Sequence, residues 1–267
     1  MTLTSVLPAR ATWFPSALAL LATLGLTTTA LADDHEPPAE PSAEAAEAAD
    51  SKASFSLAVT TDTFFGFAPM ATAGWQFTDV VAFTAYGIYW SGGSGAAWGN
   101  WGEFGVGVNF TPIDGIDINP QVGVVNGNLL SKGAADGQFG GVFADGLVPN
   151  LTVNFDLYGF ESEIYAGYYM PLRSFEDPAN PGTNLGQTAY IHYWANAGYQ
   201  PVGFFSFGAH WEHLWGGATG AGADVYQWIG PYIQFSDPKG KAWFRFAGGP
   251  DLAAGDSFYK MTMGMNF

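Results

Sequence analysis

The sequence has no cysteine and very few charged groups: 8 Lys and Arg against 24 Asp and Glu in 267 residues, or 12% in all. Without thiols there is no disulfide to staple the fold, and neither a thiolate metal site nor a cysteine nucleophile. A typical soluble domain is about 25% charged, so the usual water-facing surface is not provided for. The scarcity of bases and the net charge of −16 exclude nucleic acid as a partner. Beyond the N-terminal region, no stretch reaches the ~18 consecutive apolar residues of a membrane helix. What the chain does have is 48% hydrophobic residues, 16% aromatics and 36 glycines. Apolar and polar residues are therefore interleaved on a fine scale, which favours β-structure.

Residues 1–32 read as a secretory signal peptide. Arg10 supplies the positive n-region, ALALLATLGL (17–26) the h-region, and Ala30-Leu31-Ala32 a small-x-small cleavage site followed by Asp33-Asp34. Residues 33–53 carry seven acids, one lysine and no aromatic residue. Such a segment cannot bury enough apolar surface to fold alone, so an acidic, disordered periplasmic segment is expected.

From Ser54 onward a period-2 pattern recurs. Twelve segments carry it, at about 54–64, 70–78, 81–91, 98–110, 116–126, 147–157, 160–170, 188–200, 203–213, 223–235, 241–248 and 257–267. Phe104/Val106/Val108/Phe110 and Leu151/Val153/Phe155/Leu157 show the apolar parity. Connections alternate between short turns, such as Tyr158-Gly159 and SDPKG (236–240), and longer loops, such as 127–146 and 171–187. A first short hairpin is expected at FGFAP (65–69). Turns on one side and loops on the other suit an all-β, antiparallel, up-and-down transmembrane barrel. With both termini on the turn side the strand number is even. Twelve fits, with ten and fourteen as neighbouring alternatives.

The chain stops on SFYKMTMGMNF, residues 257–267. A sheet in lipid must close on itself, because unpaired edges have no water to bond; a last strand that pairs with the first leaves no place for a polar tail. The alternation Tyr259, Met261, Met263, Met265, Phe267 resembles the C-terminal signature of Gram-negative outer-membrane β-barrels, porin-like proteins among them. The resemblance implies that these five residues serve as an assembly signal. It also implies a bacterial outer-membrane address, and as partners the lipid bilayer, lipopolysaccharide and the barrel-assembly machinery. The competing reading is a periplasmic β-sandwich or lipocalin-like barrel. It would place frequent charges on the polar parity, which here is mostly Gly, Ser, Thr, Asn and aromatics.

With the apolar parity facing lipid, Trp75, Tyr89, Tyr193, Tyr199, Trp211 and Tyr259 fit interfacial girdles. The other parity collects the charges. Asp62, Glu103, Asp117, Asp156, Glu161, Glu163, His210 and Glu212 are expected to line a pore, with Asp224 beside them. Lys241, Arg245 and Lys260 form a basic strip on the last two strands. These groups either face one another across water and bias ion passage, or pair and knit the wall. Eight strands leave a filled interior and 16–18 an open channel, so both readings stand. Inward aromatics expected in the lumen are Tyr86, Trp101, Tyr165, Tyr169, Tyr190, Trp194, Trp228 and Trp243. They suit stacking of a sugar or base, or filling.

A phospholipase-type site would need Ser and His together on the lipid face, oriented by a third polar group. Ser206 and His210 share the inward parity but lie roughly 13 Å apart along one strand. His210 and Glu212 share a face near the rim. No metal-ligand spacing is present, and no cofactor is expected. The functional expectation is a narrow channel for passive passage of small polar or cationic solutes, without enzymatic activity. The alternatives are a closed barrel with a structural or surface-interaction role, and a rim-sited hydrolase.

Overall fold

The computed structural model describes residues 52–91, 101–127, 129–131, 142–174, 176–177, 179–184, 186–218 and 222–267. The expected signal peptide and residues 33–51 of the acidic segment lie outside them. Twelve strands follow in order: β1 (Ala53–Asp62), β2 (Gly66–Thr78), β3 (Val81–Trp90), β4 (Trp101–Ile113), β5 (Ile116–Gly127) and β6 (Val142–Leu157), then β7 (Phe160–Pro171), β8 (Thr188–Val202), β9 (Phe205–Ala218), β10 (Ala223–Ser236), β11 (Ala242–Pro250) and β12 (Ser257–Asn266). Each bonds antiparallel to its chain neighbours, and β12 bonds to β1, so the sheet is a closed up-and-down barrel. No helix occurs among the described residues.

The short connections sit at one end, here the turn end. Tyr158 and Gly159 join β6 to β7 with φ of 58° and 80°. Two positive φ values give the primed two-residue turn whose twist matches the strands it links. The opposite, loop end carries the longer connections and the three-residue turn between β1 and β2. Several strands outrun their alternating sequence. β9 continues through Gly216 and Gly217 to Ala218 because Thr188 to Tyr190 of β8 pair with that stretch. Here backbone pairing, not side-chain pattern, sets the length. β2 likewise starts at Gly66, and the first hairpin turn is residues 63–65 rather than 65–69.

Closure runs in register from Ser56↔Asn266 to Asp62↔Lys260. The Phe267 amide donates to the Phe55 carbonyl at 2.9 Å, and the two rings lie 5.9 Å apart. The apolar parity faces outward all round: Phe104 is 64% exposed, Met263 56% and Phe267 66%. Water would not tolerate a continuous belt of this kind, and lipid requires it. Exposed aromatics gather toward its edges, with Tyr89, Phe143 and Tyr259 at the loop end and Trp75, Phe77, Phe160 and Tyr199 at the turn end.

Inside, large side chains lie flat over glycines of neighbouring strands. A Cβ at Gly105 or Gly123 would collide with Tyr86, and one at Gly198 or Gly208 with Tyr232. Small residues at these points let the rings pack along the wall.

Candidate functional site

The loop-end half of the interior is sealed. The turn joining β1 to β2 folds inward instead of away, because the Asp62 carboxylate accepts hydrogen bonds from the Phe64 and Phe65 amides at 2.9 and 2.6 Å. Phe65 is thereby 3% exposed. Its ring centroid lies 6.4 Å from Trp90, 6.3 Å from Trp101, 6.1 Å from His192 and 6.0 Å from Tyr226, which belong to four different strands. Around it Trp90 stacks on Trp101 at 3.6 Å, and Trp228 on Phe258 at 4.9 Å with planes 2° apart. Leu130, from the connection between β5 and β6, is fully buried beside them. Its amide donates to Asp145 at 2.7 Å, and its carbonyl accepts from the Thr188 amide at 2.8 Å. Only a small crevice remains, with room for about one water molecule, lined by Phe65, Trp101, Leu129, Tyr169, Tyr190, His192 and Leu214.

Below this seal a polar chain descends along β7 to β12. Glu212 is fully buried. It accepts from His192 Nε2 at 2.9 Å and from the Tyr226 hydroxyl at 2.8 Å, and it pairs with Lys260. His210 Nε2 stands 3.3 Å from the other carboxylate oxygen, while His210 Nδ1 meets Asn196 Oδ1 at 2.8 Å. Asn196 donates to Glu163 at 3.3 Å. Arg245 spans the lumen from β11 to β7, donating to Glu163 at 2.6 Å and, through Nε, to Gln234 at 2.8 Å. Its guanidinium also lies 5.2 Å from the Tyr232 ring centroid. Nearer the turn end the Tyr232 hydroxyl donates to Glu161 at 2.6 Å. Two buried charges repay their desolvation only when paired and hydrogen-bonded; both conditions hold for Glu212–Lys260 and Glu163–Arg245.

Across the lumen, β3 to β6 carry a polar network that contains no basic side chain among the described residues. Glu103 is fully buried, accepts from the Tyr86 hydroxyl, and has no basic partner among the described residues. Asn150 donates to Tyr86 at 2.9 Å. Gln121 and Asn119 bracket Thr84 at 3.1 and 3.0 Å. Nearer the turn end, Asp117 accepts from Asn109 at 2.9 Å and Thr111 at 2.5 Å.

Of the residues expected in the pore, Asp62, Glu103, Glu163, His210, Glu212 and Lys260 are buried in the interior, and Arg245, Glu161 and Asp117 are partly buried there. Asp156 is on the inward parity but exposed at the turn-end mouth, directly opposite Glu161. Lys241 does not join the wall: it precedes β11, in the turn, and is exposed. Asp224 is turned outward. A register slip between Asp224 and Tyr226 inserts Val225 as an extra residue, so Asp224 pairs with outward-facing Trp215 instead of following Tyr226 into the lumen. There it meets His213 Nε2 at 2.8 Å, and His213 Nδ1 meets the Tyr193 hydroxyl at 2.6 Å. The eight expected lumen aromatics all occupy inward positions, Trp243 half-buried and the others buried. Sequence reasoning missed Phe64, Phe65, Trp90, Tyr226, Tyr232 and Phe258. Parity alone places Trp90, Tyr232 and Phe258 inward, whereas Phe64 and Phe65 lie in a turn, where parity says nothing.

A family model matches residues 39–267, described as a family of unknown function (DUF6733). The chain belongs to this family. No curated protein matches the sequence. Solved structures similar in fold include the NanC porin (9% identity, TM-score 0.46, covering 80% of this chain and 98% of the porin) and the KdgM porin (10%, 0.46, 79% and 99%). LpxR from Salmonella typhimurium is similar at 10% identity and TM-score 0.39, with 80% and 99% covered. This DUF6733 member is a barrel of twelve antiparallel strands, closed edge to edge, apolar outside and polar within.

Proposed function

We propose that the protein is a gated outer-membrane channel for small polar or cationic solutes, and that the structure is its shut state. The observation that carries this reading is the origin of the seal. Phe64, Phe65 and Leu130 come from a turn and a loop rather than from strands, so they can withdraw without breaking the β-ladder. Beneath them the turn-end mouth carries Asp117, Asp156 and Glu161 with partial or full exposure, a negative vestibule that favours cations over anions. Two cross-lumen pairs, Glu163–Arg245 and Glu212–Lys260, narrow the route and set a small size limit.

On this reading the first 32 residues direct export to the periplasm, and Tyr259, Met261, Met263 and Met265 on β12, with Phe267 just past its end, present the signal to the barrel-assembly machinery. The outward belt then meets lipid and lipopolysaccharide. Planar-bilayer recording tests the channel. The wild-type protein is expected to show rare, small openings. The double variant Phe64→Ser/Phe65→Ser is expected to conduct steadily with cation preference. A folded double variant that never conducts contradicts the channel and leaves the closed structural barrel, which the buried cross-lumen ion pairs favour as the second reading.

A further inference from the structure

The outer face of the barrel carries one polar relay that the channel does not use. Tyr193 on β8, His213 on β9 and Asp224 on β10 stand side by side, in the loop-end half of the wall. The Asp224 carboxylate only accepts, so the 2.8 Å contact places a proton on His213 Nε2. Nδ1 is then a lone pair, and at 2.6 Å it accepts the Tyr193 O–H. A hydroxyl aimed at an imidazole base, which a carboxylate holds from behind, is the arrangement of an activated nucleophile.

Three further observations separate this relay from an ordinary girdle tyrosine. Its surroundings are apolar and lipid-facing: Ile191, Trp215 and Ile229 are each about 40% exposed. The relay itself is reachable, with Tyr193 36% exposed and the Asp224 side chain 54%. And the chain breaks its own register to build it, since without the inserted Val225 the carboxylate would point into the lumen. Bulges that re-aim a side chain recur beside functional sites.

We propose that Tyr193, His213 and Asp224 form an acyl-transfer site open to the outer leaflet, whose substrates are ester-linked acyl chains of membrane lipids. Tyr193 Oη attacks the ester carbonyl carbon while its proton passes to His213 Nδ1. The bond to the lipid alcohol breaks, and that alcohol takes the proton from His213. The acyl group is left as a tyrosyl ester. Phenolate is a weaker base than an alkoxide, so this ester is the more readily hydrolysed of the two. Water then attacks it, His213 accepts the proton and returns it to the phenolate, and a fatty acid leaves. Tyr193 and His213 are the catalytic residues. Asp224 is a positioning residue that keeps Nε2 protonated and steadies the imidazolium.

The test is covalent labelling of the full-length, folded barrel in detergent by the p-nitrophenyl ester of palmitic acid, read as acyl mass on tryptic or chymotryptic peptides. Palmitoylation is expected at Tyr193 at least tenfold above the outward controls Tyr199 and Tyr259. It should disappear in Tyr193→Phe and His213→Gln, fall at least tenfold in Asp224→Asn and return in Asp224→Glu. Each variant is first checked for barrel folding by heat-modifiable gel migration, with His213→Asn in reserve if His213→Gln does not fold. The acetyl ester should label at least tenfold more weakly. Equal labelling of Tyr193 and the control tyrosines, or labelling unchanged in a folded His213 variant, overturns the site. Equal reaction of the acetyl and palmitoyl esters overturns the lipid substrate.

Discussion

Two carboxylates of the interior, Glu212 and Glu103, are equally cut off from solvent and are kept there in opposite ways. Glu212 sits among Lys260, His192, His210 and the Tyr226 hydroxyl. Glu103 has a tyrosine hydroxyl and no base among the described residues. The side of the barrel built from β7 to β12 is thus held by opposite charges. The side built from β3 to β6 is held by hydrogen bonds from neutral donors. A buried ion pair fails badly when halved, because the remaining charge is stranded. A network of neutral donors loses roughly one hydrogen bond at a time. The two sides should therefore respond very differently to the same kind of change.

The largest effect is expected for Lys260→Met, which strands Glu212: a loss of about 3–5 kcal/mol, read as the urea midpoint of unfolding in detergent. The double variant Glu212→Gln/Lys260→Met removes both charges and should recover more than half of that loss. A loss in the double variant as large as in the single would contradict the pairing. Next comes Arg245→Ala, which cuts the tie to Glu163 across the lumen. It should cost about 3 kcal/mol and enlarge the pore in a variant already opened at Phe64 and Phe65. Tyr86→Phe, on the side without bases, deletes the hydroxyl that links Glu103 to Asn150 and should cost about 1–3 kcal/mol. Glu103→Gln keeps an acceptor for Tyr86 and should fall within about 1 kcal/mol of wild type. A loss as large as that of Lys260→Met would mean that Glu103 is held by charge after all. The smallest effect belongs to Asp156→Asn at the exposed mouth, within about 0.5 kcal/mol in stability, with a modest drop in cation preference as the only other readout.

Most of the wall was legible in the sequence. The alternation of Phe104, Val106, Val108 and Phe110 against Glu103, Gly105, Gly107 and Asn109 tells a lipid face from a lumen face without any tertiary knowledge. Parity has limits, and each miss marks one. It fails at Asp224 because a single inserted residue flips every side chain beyond it. It fails at Lys241 because a strand must continue for parity to mean anything, and β11 begins one residue later. It is silent at Phe64 and Phe65, which lie in a turn. Nor does period predict who meets whom inside. Arg245 and Glu163 are 82 residues apart in the chain, and their contact follows from the girth of the barrel, which no local pattern encodes. Whether the inward charges face water or one another was for that reason undecided in the sequence and is decided by the radius.

Phe65 belongs to the first hairpin of the chain, yet His192 and Tyr226, which hold it, arrive on the eighth and tenth strands, and the ring of strands is complete only when the twelfth docks on the first. The stopper is therefore made early and seated late. Two of its ring contacts, Trp90 and Trp101, lie on strands that follow it closely in the chain, and the other two, His192 and Tyr226, join only when strands more than a hundred residues away arrive.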